Sequence, residues 1–248
     1  MHIIISPAKK MRQDNDTFAH EDLPLFLSKT ESLMQYIQSL DYDACKRLWQ
    51  CNDAIAAQNY ERFSSMDLQH NLTPALFAYD GIQYQYMAPN VFTNEELSYI
   101  RQHLRILSGF YGILRPFDGV CSYRLEMQAK PTNFSCKSLY EYWGTSLADI
   151  LAEESHCILN LASKEYSKAV QPHIPSSVRW VDCTFAELVN GKAKEKGTFA
   201  KMARGAMVRH AAETSAKTPE ALLDFHCFGF AYSKEYSNEN HLVFLKGD

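Results

Sequence analysis

The chain has 248 residues, a formal net charge of -4, 46% hydrophobic residues and 22% charged residues. This length allows one large domain or two small ones, with a core that needs no disulfide bonds. The acidic balance excludes a uniformly basic nucleic-acid binder, although a local basic cleft is still compatible with it.

The seven cysteines form no Cys-x-x-Cys pair, so the sequence contains neither a zinc ribbon nor a thioredoxin motif. Reduced thiols of this kind are typical of a cytosol. The first apolar run is too short for a signal peptide, and no segment approaches the ~20 apolar residues of a membrane span. We therefore expect a cytoplasmic protein without membrane contact. The nine histidines show no metal-ligand spacing, and no cofactor motif is present, so we expect neither metal nor cofactor.

The predicted elements of the first half are one strand followed mainly by helices. HIIIS at 2–6 reads as a buried strand, and the polar loop at 6–10 follows it. Residues 22–65 are predicted to be helical in two or three pieces. Thr93 and Glu96 form a capping box, which predicts a helix over 94–108 that ends at Gly109.

Strands alternate with helices in the second half. Ser138 and Glu141 form a second capping box, Ser163 is placed to cap another helix, and Thr218 precedes a further helix start. The predicted strands are 121–127, 157–162, 178–185 and 241–246, and the predicted helices are 138–153, 164–170 and 198–214. This order predicts a mixed α/β (α+β) fold, and the absence of a linker favours a single domain over 1–248.

The segment after the first capping box is the first candidate site. Arg101 and Arg105 are four residues apart, Ser108 follows on the same side, and SGFYG contains Gly109 and Gly112. Glycines allow backbone N–H groups to approach a phosphate, as in a helix-hairpin-helix element. The spacing is not the usual Gly-x-Gly, and Pro116 shortens the second helix. On spacing alone, a glycine cap followed by a plain turn is therefore the favoured interpretation.

A second candidate site involves Arg115, Arg124 and Glu126. Two arginines can clamp a phosphate bidentately while a carboxylate orients one of them. An internal salt-bridge network explains the same residues equally well.

A third candidate site follows the strand at 157–162, where Ser163 and Lys168 could hold an anion at a helix start. An ordinary N-cap is the alternative. If the strand at 2–6 lies beside this one, the loop that carries Lys9 opens on the same cleft.

The fourth candidate site is the predicted helix 198–214, which carries Lys201 and Arg204 on one face. Lys192, Lys194 and Lys196 precede it, so this is the most basic stretch of the chain. Such a face either binds along the phosphate backbone of a nucleic acid or is simply exposed to solvent.

Several segments, taken in order and spacing, resemble the YaaA peroxide-stress family of bacteria over essentially the whole chain. They are IISPAK at 4–9, NYERF at 59–63, HLRILSGFYGILRPFD at 103–118, YRLEM at 123–127, YEYWG at 140–144, NLASKEYSK at 160–168 and ARGAM at 203–207. The resemblance implies a cytosolic protein that limits hydrogen peroxide damage to DNA and protein and is linked to lowered free iron. It also implies a single α/β domain of unusual topology with a basic cleft, a helix-hairpin-helix-like element and DNA binding.

The family motifs map onto positions in all four candidate sites. These positions are Lys9, Arg105, Ser108, Gly109, Gly112, Arg115, Arg124, Glu126, Ser163, Lys168, Lys201 and Arg204. Lys10 departs from the family, which frequently has threonine there.

Two functional hypotheses follow. In the first, Arg101, Arg105, Arg115 and Arg124 border one basic cleft of a monomer that binds DNA without sequence preference. Tyr111, Tyr123 and Tyr166 would then stack on an unpaired base. In the second, the cleft belongs to an enzyme that acts on a small phosphorylated or nucleobase-containing ligand. Glu126 and Tyr166 are the candidates for proton transfer in that enzyme.

Overall fold

The computed structural model describes residues 1–14 and 17–247. Its strands are β1 His2–Ile5, β2 Lys10–Met11, β3 Thr73–Pro74, β4 Tyr79–Asp80, β5 Leu104–Ser108, β6 Gly112–Leu114, β7 Gly119–Val120, β8 Cys157–Leu161, β9 Arg179–Val189, β10 Lys192–Lys194, β11 Phe230–Tyr232 and β12 His241–Lys246. Its helices are α1 Leu27–Gln38, α2 Tyr42–Trp49, α3 Asp53–Ser64, α4 Ala75–Ala78, α5 Ile82–Met87, α6 Asn94–His103, α7 Leu139–Trp143, α8 Ser146–Glu154, α9 Lys164–Ser167 and α10 Gly197–Glu213. Short 3-10 turns occupy Pro89–Val91, Gln171–His173 and Pro219–Leu222.

An eight-stranded mixed sheet forms the centre of the molecule. Its order is β11-β12-β9-β8-β1-β5-β6, and β10 pairs with β9 outside this path. The five strands from β12 to β5 are parallel to their neighbours, whereas β11 and β6 run antiparallel at the two edges. Every residue of β1 and β5 is buried, as expected for strands covered on both faces. The chain is thus a single α/β domain with helices around a mixed sheet, as the sequence predicted.

The parallel strands give the sheet a carboxyl edge where several loops meet. β1 lies between β8 and β5, with Ile5 opposite Leu161 on one side and Ile106 on the other. The chain runs from β1 to β5 on one side and then crosses to β8 on the other side. Open α/β sheets bind ligands in the crevice at such a switch point. The fold therefore brings the loops after β1 and β8 together, as predicted.

The predicted helix over 94–108 is corrected. The capping box is present, since Thr93 Oγ1 accepts from Glu96 N at 3.2 Å and Glu96 Oε2 accepts from Thr93 N at 2.7 Å. The helix nevertheless ends at His103, and Leu104–Ser108 forms β5. Leu104 and Leu107 fit a helical period, but they also belong to a continuous apolar run. Pairing with β1 in the core decides between the two conformations.

The predicted helix-hairpin-helix-like element is also corrected. β5 and β6 form an antiparallel hairpin in which Ser108 pairs with Gly112, so Gly109 lies in a β-turn instead of capping a helix. A Cβ at residue 109 would lie 2.5 Å from the carbonyl oxygen of Leu125. Gly109 thus allows the segment that follows β7 to pack directly against the hairpin.

Two further predictions in the second half are wrong in detail. Residues 121–126 form no strand, because their backbone groups bond to side chains: Cys121 N donates to Tyr111 Oη and Tyr123 N to Met11 Sδ.

The predicted helix 138–153 breaks at Gly144, whose φ of 50° is left-handed, and becomes α7 and α8. Ser138 caps α7 by accepting from Glu141 N, but the Glu141 carboxylate accepts from Lys137 N, so the box is only half formed.

The remaining elements agree with the sequence predictions, except that the predicted helix 164–170 is shortened to α9 and Thr218 precedes only the 3-10 turn Pro219–Leu222. β1, β8, β9 and β12 coincide with the four predicted strands outside 121–127, and α10 coincides with the predicted helix 198–214. The helical stretch 22–65 contains α1, α2 and α3, whose second and third members are capped by Asp41 and Asn52. Among the helices that the structure describes, none has the length and apolar character needed to cross a membrane.

Candidate ligand-binding pocket

A cavity of about 360 Å³ opens at the carboxyl edge of the sheet. We call it the strand-end pocket. It is lined by residues 6–10, 80–84 and 123–126 together with Ser163, Glu165, Tyr166, Lys201 and Arg204. Its volume falls within the range of about 300–1,000 Å³ that is typical of small-molecule sites. The pocket therefore combines the loops after β1 and β8 with the amino-terminal half of α10.

Two serines join the loops at the floor of the strand-end pocket. Ser163 N donates to Ser6 Oγ at 2.8 Å, and Ser6 Oγ donates to Ser163 Oγ at 3.2 Å. The Ser163 side chain makes no capping bond within α9, so its predicted role as an N-cap is corrected. It instead fixes the loop that carries Lys9 against the end of β8.

Glu126 is held between two cations in this pocket. Its Oε2 lies 2.8 Å from Lys9 Nζ, and its Oε1 accepts from Arg124 Nη2 at 2.9 Å. The Arg124 side chain is buried, whereas that of Lys9 is exposed. The predicted association of Arg124 with Glu126 is therefore present, and Lys9 joins it.

The cations of α10 form the opposite wall. Lys201 is exposed, and Arg204 is largely buried with its Nη2 3.0 Å from Glu195 Oε1. Lys10 lies at the rim, 2.5 Å from Asp80 Oδ2. Of the residues that the structure describes, five cationic and three carboxylate side chains line the strand-end pocket. Its wall therefore carries a positive excess in a chain of net negative charge.

Three buried donors at this wall have no hydrogen-bond partner among the described residues. They are Arg124 Nε, Arg204 Nε and Gln83 Nε2, and all three side chains line the strand-end pocket. A buried donor without a partner costs roughly 1–3 kcal/mol, so such groups are uncommon away from functional sites. The wall thus has more donors than acceptors, which suits an anionic ligand.

Tyrosines form the apolar side of the pocket. Ser108 Oγ accepts from the backbone N–H groups of Phe110 and Tyr111, so its proton points to Tyr123 Oη at 2.6 Å. Burial raises the pKa of Tyr123 to about 12 and that of Tyr166 well above its usual value. Both phenols therefore stay protonated at neutral pH. Tyr166 can donate a hydrogen bond, but its raised pKa makes it a poor proton donor and leaves no phenolate to act as a base.

Tyr111 cannot stack on a base as predicted. Its side chain is only 1% exposed, and its hydroxyl accepts from Cys121 N in the core. Tyr123 and Tyr166 do line the strand-end pocket, together with Tyr84.

The structure separates Arg101, Arg105 and Arg115 from the strand-end pocket, which corrects the prediction of one continuous cleft. Arg105 Nε lies 2.7 Å from Glu154 Oε2, Arg115 Nη2 lies 3.5 Å from Glu154 Oε1, and Arg101 Nε lies 2.6 Å from Glu21 Oε1. We call these three arginines the amino-edge cluster. In a strand, Arg105 is about 10 Å from Ser108, near the opposite edge of the parallel sheet. The predicted helix over 94–108 would have placed Arg105 and Ser108 on the same face, but the strand does not.

Glu154 neutralises the centre of the amino-edge cluster. Burial raises its pKa, but the nearby His2 and Arg105 side chains outweigh burial and lower it to about 2. Glu154 is therefore ionised at all physiological pH values, and two of the three arginines are paired with it. This arrangement fits the salt-bridge interpretation of Arg115, which the sequence had left open.

Four further predicted positions, Ser108, Gly109, Gly112 and Lys168, lie outside the pocket. Lys168 is exposed with its Nζ 5.0 Å from the Tyr140 ring centroid. Gly112 has a φ of 78°, and a Cβ there would lie 2.7 Å from the Trp143 ring, so it serves the turn and its packing. Their predicted contact with an anion remains a prediction.

The structure adds residues that the sequence did not nominate. Glu165 and Gln83 line the strand-end pocket. Glu165 follows the end of β8 by four residues, a position that could have drawn attention to it. Gln83 lies in α5, in a stretch whose secondary structure the sequence left ambiguous.

The fold and the site define a single-domain α/β protein with a donor-rich pocket at the carboxyl edge of its sheet. The family model described as "Peroxide stress protein YaaA" matches residues 1–236. A UPF0246 protein of Lachnoclostridium phytofermentans is 51% identical over 248 residues, which are 100% of this chain and 97% of that protein. UPF0246 proteins of Desulfitobacterium hafniense and Pediococcus pentosaceus are 50% and 46% identical, over 99% and 100% of this chain and 98% and 99% of theirs. The chain belongs to the YaaA peroxide stress protein family.

Proposed function

We propose that this chain acts in peroxide stress by binding DNA, with one unpaired nucleotide and its phosphate in the strand-end pocket. The observation that carries the proposal is the convergence of Arg124, Arg204 and Gln83 on one pocket, each with a buried donor that has no partner within residues 1–14 and 17–247. A phosphate supplies the missing acceptors, and charged partners form the stronger hydrogen bonds.

The size of the pocket decides which form of DNA it accepts. A cavity of about 360 Å³ has room for one nucleotide but not for a duplex. Tyr84 and Tyr166 offer apolar surface for a base, while Lys10 and Lys201 at the rim lie where neighbouring phosphates would pass. We therefore expect single-stranded and bubbled DNA to bind more tightly than a fully paired duplex. A base leaves the stack most easily where it is already unpaired.

The two groups of cations allow a matched test. The variant Lys9→Ala/Lys201→Ala removes two exposed charges from the strand-end pocket. Arg101→Ala/Arg115→Ala removes two half-exposed charges from the amino-edge cluster. Both variants change the net charge equally, so a general electrostatic effect cannot distinguish them. Fluorescence anisotropy with single-stranded, bubbled and duplex oligonucleotides across a salt series measures each affinity.

The proposal predicts that the wild type and the amino-edge variant bind alike, with affinity falling steeply as salt rises. The pocket variant is expected to lose about tenfold or more in affinity and to show a shallower salt dependence, because it makes fewer phosphate contacts. Equal losses in the two variants would place DNA outside the pocket. Absence of DNA binding by the wild type at low salt would refute the proposal.

We also propose that the link to lowered free iron is indirect. The strand-end pocket carries a positive excess, which repels a ferrous ion. Purified protein is therefore expected to leave the free ferrous concentration of a buffered solution unchanged. Stoichiometric depletion of ferrous ions by the protein would contradict this.

A second candidate function is an enzyme that acts on a small phosphorylated or nucleobase-containing ligand. The observation that favours it is the presence of Glu126 and Glu165 in the same concave site as the cations. It predicts that a free mononucleotide binds in the pocket and displaces DNA. Tight binding of a mononucleotide by a protein that ignores DNA at low salt would favour the enzyme.

A further inference from the structure

The two glutamates of the strand-end pocket differ in how far neighbouring cations neutralise their charge. Glu126 contacts two cations, one at each carboxylate oxygen. Glu165 makes no ion pair among the described residues, and its carboxylate accepts from the backbone N–H groups of Gln128, at 3.3 Å from Oε1, and of Met127. It is half-buried in the wall of a site that otherwise presents donors.

The charged and titratable groups around Glu165 act in opposite directions. Burial raises its pKa and the Glu126 carboxylate raises it further, whereas the backbone N–H groups of Gln128 and Met127 and the Lys9 ammonium lower it, with a net upward shift. Tyr140 and Tyr166 also lie close, but burial raises the pKa of both phenols, so they are uncharged. Lys164 and Lys168 belong to the same short segment and are exposed to solvent.

The ionised carboxylate of Glu165 repels an anion that enters this pocket. The protonated carboxyl group does not. A neutral carboxylic acid has one O–H donor, which can point to a phosphate oxygen, whereas the carboxylate can only accept. A nearby negative charge also favours the protonated form further. The same side chain is thus repulsive or attractive to a phosphate, depending on one proton.

We propose that Glu165 is a ligand-selecting residue that binds the phosphate-bearing ligand as a neutral acid. Binding then takes up one proton from solvent onto the Glu165 carboxylate, and the new O–H group donates to a phosphate oxygen. This inference rests on the proposed function, because it requires a phosphate in the strand-end pocket. It adds that the site binds its ligand more tightly at lower pH, although no histidine among the described residues lines the pocket.

The test uses a fluorescently labelled oligothymidine, whose phosphodiester charge does not change over about pH 5 to 8. The affinities of the wild type, Glu165→Gln and the control Glu61→Gln are measured by anisotropy at constant salt. Glu61 is exposed on α3 and lies outside the pocket. Thermal unfolding of each variant shows that it is folded. Calorimetric titrations in buffers of different ionisation enthalpy count the protons taken up.

The wild type and Glu61→Gln are expected to lose affinity as pH rises, by at most about tenfold per pH unit, with uptake of up to about one proton. Glu165→Gln keeps a donor but cannot titrate, so its affinity is expected to be independent of pH and to exceed that of the wild type at pH 8. Glu165→Ala is expected to be equally independent of pH but weaker than Glu165→Gln.

Two results would overturn the inference without touching the proposed function. One is wild-type binding that does not depend on pH, and the other is a pH dependence that Glu165→Gln retains. Absence of oligothymidine binding at every pH would instead refute the proposed function, and the inference with it.

Discussion

At the scale of single residues, the strand-end pocket and the amino-edge cluster use the same side-chain types with different outcomes. Glu154 pairs with the buried Arg105, so charges of the amino-edge cluster are neutralised within the protein. Glu126 has a buried and an exposed partner, and the neighbouring guanidinium of Arg204 is incompletely satisfied. The first arrangement stabilises the fold, whereas the second leaves buried donors without a partner among the described residues.

Glu126→Gln is expected to raise the affinity for single-stranded DNA several-fold. The substitution removes one negative charge from the pocket wall and releases Lys9 and Arg124 from their carboxylate. Anisotropy at low salt measures the effect, with Glu61→Gln as the charge-matched control. A lower affinity in Glu126→Gln would show that the carboxylate positions the two cations and does not compete with the ligand.

Glu154→Gln is expected to destabilise the protein by about 3–5 kcal/mol at neutral pH, because it leaves the buried Arg105 guanidinium without its carboxylate. The pKa of Glu154 is lowered to about 2 from a usual value of 4.5. Its stabilising contribution is therefore complete above that usual value and is lost as pH falls toward 2. Urea denaturation across pH is expected to show the wild type and the variant converging in acid. A difference that does not vary with pH would contradict this account.

At the scale of elements, α5 and α10 form one wall of the pocket through a close backbone approach. A Cβ at Gly205 of α10 would lie 2.1 Å from the carbonyl oxygen of Gln83 in α5 and 2.9 Å from Met87 N. Both contacts are to backbone, so a side chain at 205 forces the two helices apart. Gln83, Lys201 and Arg204 take their positions from this contact.

Gly205→Ala is expected to lower both the thermal stability and the DNA affinity. Alanine gains about 1 kcal/mol of helix propensity over glycine, but overpacking against rigid backbone costs about 1–3 kcal/mol or more. Gly197→Ala is the matched control, because a Cβ there has no atom within 4 Å and the position lies in the first turn of the same helix. Unchanged melting temperature and affinity in Gly205→Ala would contradict the proposed role of this contact.

Much of the fold was predictable because local patterns and tertiary pairing agree over most elements. β1, β8, β9, β12 and α10 follow from apolar runs and helical spacing. The prediction failed at Leu104–Ser108, where one apolar run fits two periodicities and only pairing with β1 selects the strand. The prediction also failed at 121–126, because the backbone there donates to the side chains of Tyr111 and of the distant Met11 instead of to a neighbouring strand.

At the scale of the whole molecule, the strand-end pocket was predictable only in part. The meeting of Ser6 with Ser163 follows from two strands ending at the same edge, and the basic face of α10 was visible in the sequence. The sequence could not show that Arg105 and Arg115 lie near the other edge, because that depends on the direction of β5 and β6. Nor could the sequence reveal Gln83, whose buried side-chain donor has no partner in the part of the chain that the structure describes.

The central claim is that phosphate binds in the strand-end pocket and not at the amino-edge cluster. Nuclear magnetic resonance of the arginine Nε–Hε groups during titration with single-stranded oligothymidine tests this most directly, since each guanidinium reports separately. Our account predicts that the signals of Arg124 and Arg204 shift with saturation, while those of Arg101 and Arg115 do not. Shifts confined to Arg101 and Arg115 would contradict it and would move the binding site to the amino edge of the sheet.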